Sequence, residues 1–239
     1  MFLMSVSDAQ MPIENRLLAA LPHGAYLNLL PHLERVPLLF EKVLYESRES
    51  IKHVYFPNHG VISLLSILSD STRGEVGLVG NEGMLGLPIF LGVDTTPLEA
   101  LVQIPGDAMR MKVSVFKALV KPGDPLHDLL QRYTYALMFQ NSQIAACNCY
   151  HSVEKRCCRW LLMSHDRVNS DSFPLTHKFL SRMLGVRRAS VTVVANKLQQ
   201  AGLIHYSRGQ MTILDRQGLE KASCECYGLL KSESDRWLN

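Results

Sequence analysis

The chain has 239 residues, of which 47% are hydrophobic and 20% charged, enough apolar content for one or two packed domains rather than a disordered chain. Its formal net charge of +3 is too small for a protein that is basic throughout, so any polyanion-binding character has to be local. No apolar run approaches the roughly 18 to 20 residues that span a bilayer, and the N-terminus lacks a basic stretch leading into an apolar stretch and a small-residue cleavage site, so a cytoplasmic protein is expected.

The first forty or so residues place Pro12, Pro22, Pro31 and Pro37 between short apolar groups such as Ile13, Leu17, Leu18 and Leu27, Leu29, Leu30, a pattern of short helices broken by turns. From Lys42 the character changes. Val43 and Tyr45 alternate with polar neighbours, and His53 to Phe56, a Pro57-Asn58-His59-Gly60 turn and Val61 to Leu68 read as strand, turn, strand. Further apolar runs at Val76 to Val79, Leu98 to Ile104 and Ala108 to Val115, separated by glycine- and proline-bearing turns, suit a small barrel or sandwich.

After the Lys121-Pro122-Gly123-Asp124-Pro125 break, a long helix is expected from about Leu126. Leu126, Leu130, Tyr133, Leu137, Gln140 and Ile144 step by four, three, four, three and four, the spacing of a coiled-coil seam, which predicts a homodimer through this helix. The alternative is that the stripe packs on the chain's own β domain. Near Asn148 to Ser152 the pattern falters, and Ser152 can cap a new helix running through Arg156, Trp160, Leu161 and Leu162, which makes the break a candidate hinge.

Between Asp171 and Asp215 the chain carries no carboxylate, while Lys178, Arg182, Arg187, Arg188, Lys197 and Arg208 fall inside that window. A one-signed stretch of this kind points to nucleic acid. Leu175 to Val186 reads as a short amphipathic helix stopped by Gly185, and a second helix starts at about Arg187, which together predict a helix-turn-helix. Ile204 and Tyr206 on one side of Ser207-Arg208-Gly209, with Met211 and Ile213 on the other, add a two-stranded wing, followed by a last helix from about Asp215.

A β domain, a long dimer helix and a C-terminal winged helix-turn-helix, in that order, resemble the CRP/FNR family of bacterial transcription regulators over nearly the whole chain. The most specific stretch runs from Leu175-Thr176 through Leu184-Gly185-Val186-Arg187-Arg188-Ala189-Ser190-Val191 to Leu198-Gln199-Gln200-Ala201-Gly202-Leu203-Ile204. The resemblance implies an α+β protein: a β-barrel or jelly-roll sensor domain, similar to cyclic-nucleotide-binding domains, over 1–125, a dimerisation helix over 126–151 and a winged helix-turn-helix DNA-binding domain over 152–239. It implies that Thr176 meets a DNA phosphate and that Arg188 reads guanine. Where many members follow with a glutamate that accepts from cytosine, this chain has Ala189, which can make only an apolar contact such as one with a thymine methyl, so the operator should differ. Arg187, Ser190 and Thr192 are the other base-contact candidates, and Lys197 and Arg208 suit phosphates. For Arg187 and Ser190 the alternatives are a backbone contact and a hydrogen bond within the helix. A dimer would present two such helices roughly 34 Å apart to a near-palindromic duplex.

Relatives that hold cyclic AMP use a glycine-glutamate pair followed by an arginine-serine pair; here Leu87 stands in the glutamate's place and Leu98-Glu99 in place of arginine-serine. A cyclic phosphate needs cations or clustered donors, so the effector is expected not to be cyclic AMP, and no cofactor is predicted. Relatives that hold iron-sulfur clusters do so largely with N-terminal cysteines, whereas the first cysteine here is Cys147. Cys147 and His151 lie four apart on one helix face, and two such pairs across a two-fold axis could form a Cys2His2 zinc site; the alternative, favoured because the helix breaks near His151, is that the cysteines only pack. Cys157 and Cys158 are expected to pack in the DNA-binding domain, and His177 and His205 to face DNA or solvent.

Neither paired carboxylates nor a nucleophile-base arrangement argues for an enzyme. The competing function is a ligand-binding or protein-interaction module whose winged helix docks protein instead of DNA. Activation would require a surface for RNA polymerase as a further partner, which the sequence does not locate.

Overall fold

A computed structural model describes residues 13–70 and 72–238; Pro12, one of the prolines that punctuate the N-terminal segment, lies outside them. Two short helices, α1 (Arg16–Ala19) and α2 (His23–Leu29), open the described chain. Asn15 caps α1 by accepting from Leu18 N, and its amide donates to the Pro57 and Gly83 carbonyls, so this buried cap also ties the helix to the sheet.

The expectation of helices and turns up to about residue forty fails at Glu34–Leu38, which forms β1. Pro37 is tolerated there because β1 is an edge strand, paired only with β5 (Leu98–Lys112). β2 (Val43–Tyr45) also pairs with β5, while β3 (His53–Ile67) lies between β5 and β4 (Arg73–Val79). The antiparallel order is thus β1-β5-β3-β4, a bent, open, jelly-roll-like sheet rather than a closed barrel.

Pro57-Asn58-His59-Gly60 is not a turn. β3 continues through it as one strand of 15 residues, with register shifts between Pro57 and Ile62 opposite Pro105-Gly106-Asp107 of β5. The irregularity of the two strands coincides, so both bend at one place and neither reverses. Asp107 holds the bend by accepting from Asn58 Nδ2 at 2.6 Å and pairing with His59 Nδ1 at 2.9 Å. At its far end β5 stops at Lys112, and Val113–Leu119 is helix α4 where a strand was expected to run to Val115.

The long helix α5 spans Pro125–Tyr150, and after its break Ser152 caps α6 (Val153–His165) by accepting from Lys155 N. The expected dimer seam faces inward. Leu126, Leu130 and Tyr133 are 3%, 0% and 2% exposed in the core that β3, β5 and α1 build, and Ile144 is buried in the second core. Leu137 is part-buried against the first core, and the Gln140 amide donates to the Leu78 carbonyl. The alternative reading of the stripe therefore applies to those residues, because the β domain leaves an apolar face open that the nearest long helix covers.

The second core joins Val61, Leu65, Leu78 and Ile104 of the sheet to Trp160, Leu161, Phe179, Leu180, Val191 and Leu198 of the C-terminal region. Covered on both faces, β3 is buried along almost its whole length, which explains its nearly continuous apolar sequence. The C-terminal sheet has three strands rather than two, in the order β6-β8-β7, with β6 (Ser172–Pro174), β7 (Ile204–Ser207) and β8 (Gln210–Ile213). The segment from Asp215 is two helices, α9 (Arg216–Ala222) and α10 (Glu225–Leu238), and α10 returns to α5, where Trp237 and Tyr133 place their ring centroids 5.4 Å apart.

Candidate nucleic-acid interface

The first helix of the expected pair, α7, covers His177–Leu184 and buries Phe179, Leu180, Met183 and Leu184. Thr176 is its N-cap, accepting from Phe179 N at 3.1 Å. The cap leaves an exposed helix start whose remaining backbone donors suit a phosphate. Gly185 ends the helix in the left-handed region at φ 61, and Val186 N bonds back to the Ser181 carbonyl at 3.0 Å, a closure that strains any side chain placed at Gly185.

The chain re-enters helix as α8, Arg188–Gln200, with Arg187 in the N-cap position and making no side-chain cap bond. Val191, Val194, Ala195 and Leu198 bury one face. Arg187, Arg188 and Ala189 are exposed at the start of the helix, and Ser190 is half-buried. Sequence reasoning missed the continuation of this face. Val193, 69% exposed, stands four residues after Ala189, and exposed Asn196 follows three later, so helical periodicity run on from Ala189 would have found both.

Thr192, expected at a base, is engaged within the domain. Its hydroxyl donates to the Arg188 carbonyl at 3.1 Å, so it can only accept from His177 Nδ1 at 3.0 Å, which fixes the imidazole tautomer. The His177 ring stacks on Tyr206 of β7 at 4.2 Å and 20°. Burial, and then the charge of Arg188, hold its pKa below the ordinary imidazole value. His177 thus locks α7, α8 and the wing together instead of facing DNA, while His205 is exposed.

Lys197 also departs from expectation. Its ammonium pairs with Glu154 of α6 at 2.6 Å, so a phosphate would have to compete with a carboxylate already in place. Arg208 is exposed at the tip of the wing, where Arg208 and Gly209 both have positive φ, 48 and 79, the two-residue hairpin geometry that projects the tip from the sheet. Lys178 and Arg182 are exposed on α7.

The winged helix-turn-helix region is docked on the sheet. Trp160 donates to Glu75 of β4 at 2.9 Å, Arg167 forms a buried pair with Glu82 at 2.9 Å, and Ser63 of β3 lies 3.6 Å from the Met183 sulfur. A cleft of about 540 Å³ opens between the β3–β4 connection and the turn of the helix-turn-helix, lined by Asp70, Thr72, Arg73, Arg182 and Arg187 among others.

In the N-terminal half, Leu87 opens α3 (Leu87–Phe90) and is 8% exposed. Glu99 is buried, with Arg73 donating to both its oxygens at 3.0 and 3.1 Å. The arginine beside that position is therefore neutralised. Cys157 and Cys158 are buried in the second core. Cys147 and His151, for which packing was the favoured expectation and a site across a two-fold axis the other, turn toward Cys224 and Cys226 of the same chain.

These parts define a class: a winged helix-turn-helix joined by a long helix to a jelly-roll-like sheet. Residues 155–222 match the family model described as the Crp-like helix-turn-helix domain. FixK2 from Bradyrhizobium japonicum superposes with a TM-score of 0.67 at 16% identity, over 80% of this chain and 98% of that one. A CRP-family transcriptional regulator from Thermus thermophilus gives 0.64 at 17% identity over 80% and 96% of the two chains, and a CRP/FNR-family regulator from the same organism gives 0.61 at 18% over 80% and 98%. Compared by sequence with curated proteins, the chain has no match. It carries a Crp-like helix-turn-helix domain, and its fold is that of these solved CRP/FNR-family structures. No helix among the described residues is long and apolar enough to cross a membrane.

Proposed function

We propose that this protein is a sequence-specific transcription regulator that binds a near-palindromic duplex as a homodimer, with residues 1–125 as sensor, 126–151 as dimerisation helix and 152–239 as DNA reader. The observation that carries the proposal is the start of α8, where Arg187, Arg188 and Ala189 are exposed, within a sequence window that has no carboxylate, and the two arginines are engaged in no ion pair among the described residues. Arg188 has the fork that suits guanine O6 and N7, and Ala189 with Val193 offers an apolar surface to a thymine methyl. Thr176 at the start of α7 and Arg208 on the wing suit phosphates. Lys197 serves there only after leaving Glu154.

The dimer face is reassigned to the outer side of α5. Gln131, Tyr135, Met138, Ser142, Ala145 and Cys149 are exposed and step by four, three, four, three and four. Tyr135 and Met138, 62% and 65% exposed, are large apolar groups that a partner helix would cover. Cyclic AMP is not the effector in this reading, because Leu98 stands where the arginine would supply a cation and Glu99 beside it is already paired with Arg73.

Selection of duplexes from a random pool, followed by binding of the selected duplex at several salt concentrations, tests the proposal. The expected result is a near-palindrome whose affinity falls steeply with salt as phosphate counterions are released. Failure to bind any duplex at low salt would instead support the protein-docking reading of the winged helix.

A further inference from the structure

The end of α5 and the start of α10 bring four ligating side chains together. The sulfurs of Cys147, Cys224 and Cys226 and a ring nitrogen of His151 all lie within 4.8 Å of one another, and the three cysteines form a buried cluster of their own. Cys147 Sγ is 3.5 Å from Cys224 Sγ, and Cys226 Sγ is 3.6 Å from His151 Nδ1. A tetrahedral zinc ion with Zn–S near 2.3 Å and Zn–N near 2.0 to 2.1 Å would separate two sulfurs by about 3.8 Å and a sulfur from a nitrogen by about 3.6 Å. Both observed distances are within a few tenths of an ångström of those values.

The surroundings are those of a ligand set. His151 Nε2 meets Glu225 Oε1 at 3.2 Å, the carboxylate–imidazole pairing that directs the other ring nitrogen, Nδ1, toward a metal. The Gln143 amide donates to Cys226 Sγ at 3.1 Å, a contact that favours a thiolate there. Exposed Cys149, between the two α5 ligands, takes no part. The other cluster of this kind, Glu14, His59 and Asp107, already has a cation in Arg35, which reaches Asp107 at 2.8 Å and Glu14 at 3.2 Å.

We propose that Cys147, His151, Cys224 and Cys226 of one chain form a Cys3His site for a single zinc ion. Three thiolates and one imidazole are a soft donor set that selects zinc over the hard oxygen-seeking cations. A multi-iron cluster does not fit, because its own iron and sulfide ions would have to lie between sulfurs that are already within 4.8 Å of one another. The site also has a mechanical consequence. His151 is the C-cap of α5 and Ser152 the N-cap of α6, so an ion bound there fixes the junction between the two helices to the base of α10. The position of the winged helix-turn-helix relative to α5 then depends on the ion, whatever that domain binds.

The test uses the full-length untagged protein, purified under reducing conditions from zinc-supplemented cells. Elemental analysis should give about one zinc per chain, released as a mercurial reagent titrates the thiols. Cobalt substitution should produce the thiolate charge-transfer and intense visible bands of a tetrahedral Cys3His centre. Cys149→Ser should keep the metal, and Cys224→Ser or Cys226→Ser should lose it. Chelation of the wild-type protein should raise amide exchange across residues 148–153 and 223–227. Less than about 0.2 zinc per chain, or half an ion per chain from a site shared across a dimer axis, would overturn the proposal. So would a Cys147–Cys224 disulfide in metal-free protein, and unchanged exchange after chelation would overturn the junction role.

Discussion

Arg188 carries the residue-scale argument, because an exposed guanidinium in the first turn of α8, free of any carboxylate among the described residues, is available for bidentate contact with a base. Arg188→Ala should weaken binding to the selected duplex by about 1 to 3 kcal/mol and relax preference at one base pair, whereas Arg208→Ala should weaken all duplexes alike and lower the salt slope by about one. Equal losses on selected and random duplexes for Arg188→Ala would remove its reading role. Charge and helical position made the exposure of Arg187, Arg188 and Arg208 legible in the sequence. Thr192 and Lys197 were not, since their engagement depends on His177 and Glu154, 15 and 43 residues away in sequence. Val193 was overlooked only because an apolar residue on a polar face does not advertise itself by charge.

Elements follow from local pattern where local interactions decide them. Thr176, Ser152 and Asp215 each cap a helix with a side-chain oxygen, and Gly185 ends one, so the boundaries near them were readable. The heptad stripe of α5 was readable as apolar but not as to its partner, because spacing defines a face and not what covers it. The two faces can be separated experimentally. Met138→Glu, on the exposed face, should give a monomer by light scattering at micromolar concentration with little loss of stability. Leu130→Ala, fully buried in the chain's own core, should cost about 2 to 5 kcal/mol of stability and leave the assembly unchanged. A dimer that survives Met138→Glu would discard the outer seam. Likewise, β3 and β5 each read as two strands because proline and glycine usually mark turns; their side-by-side irregularities made a shared bend instead.

At the scale of the whole molecule, the docking of the C-terminal region on the sheet places an acid in a sensitive position. Burial pushes the Glu75 carboxyl up to about 7, although bonds from Ser63 and Trp160 oppose the shift. Ser63 faces acceptors on both Glu75, at 2.8 Å, and Gln103, at 2.5 Å, with one hydrogen to give, a conflict that a protonated Glu75 relieves. An unfolded Glu75 ionises near 4.5, so from there to about pH 7 the folded chain keeps a proton that the unfolded chain has lost. Stability is therefore unpenalised below 4.5 and falls across that window by at most about 3 kcal/mol. The thermal midpoint should drop between pH 5 and 8, and Glu75→Gln should flatten that drop; an identical profile in the variant would exclude Glu75 as its source. By itself, the sequence determined the order of the parts and the positive charge of the helix-turn-helix segment, since periodicity, caps and charge act over a few residues. Only the tertiary structure decided which side of α5 is free, that Glu75 lies between the domains, and that Cys147 and His151 meet Cys224 and Cys226. Each of these depends on how segments far apart in sequence pack together, which spacing along the chain does not encode.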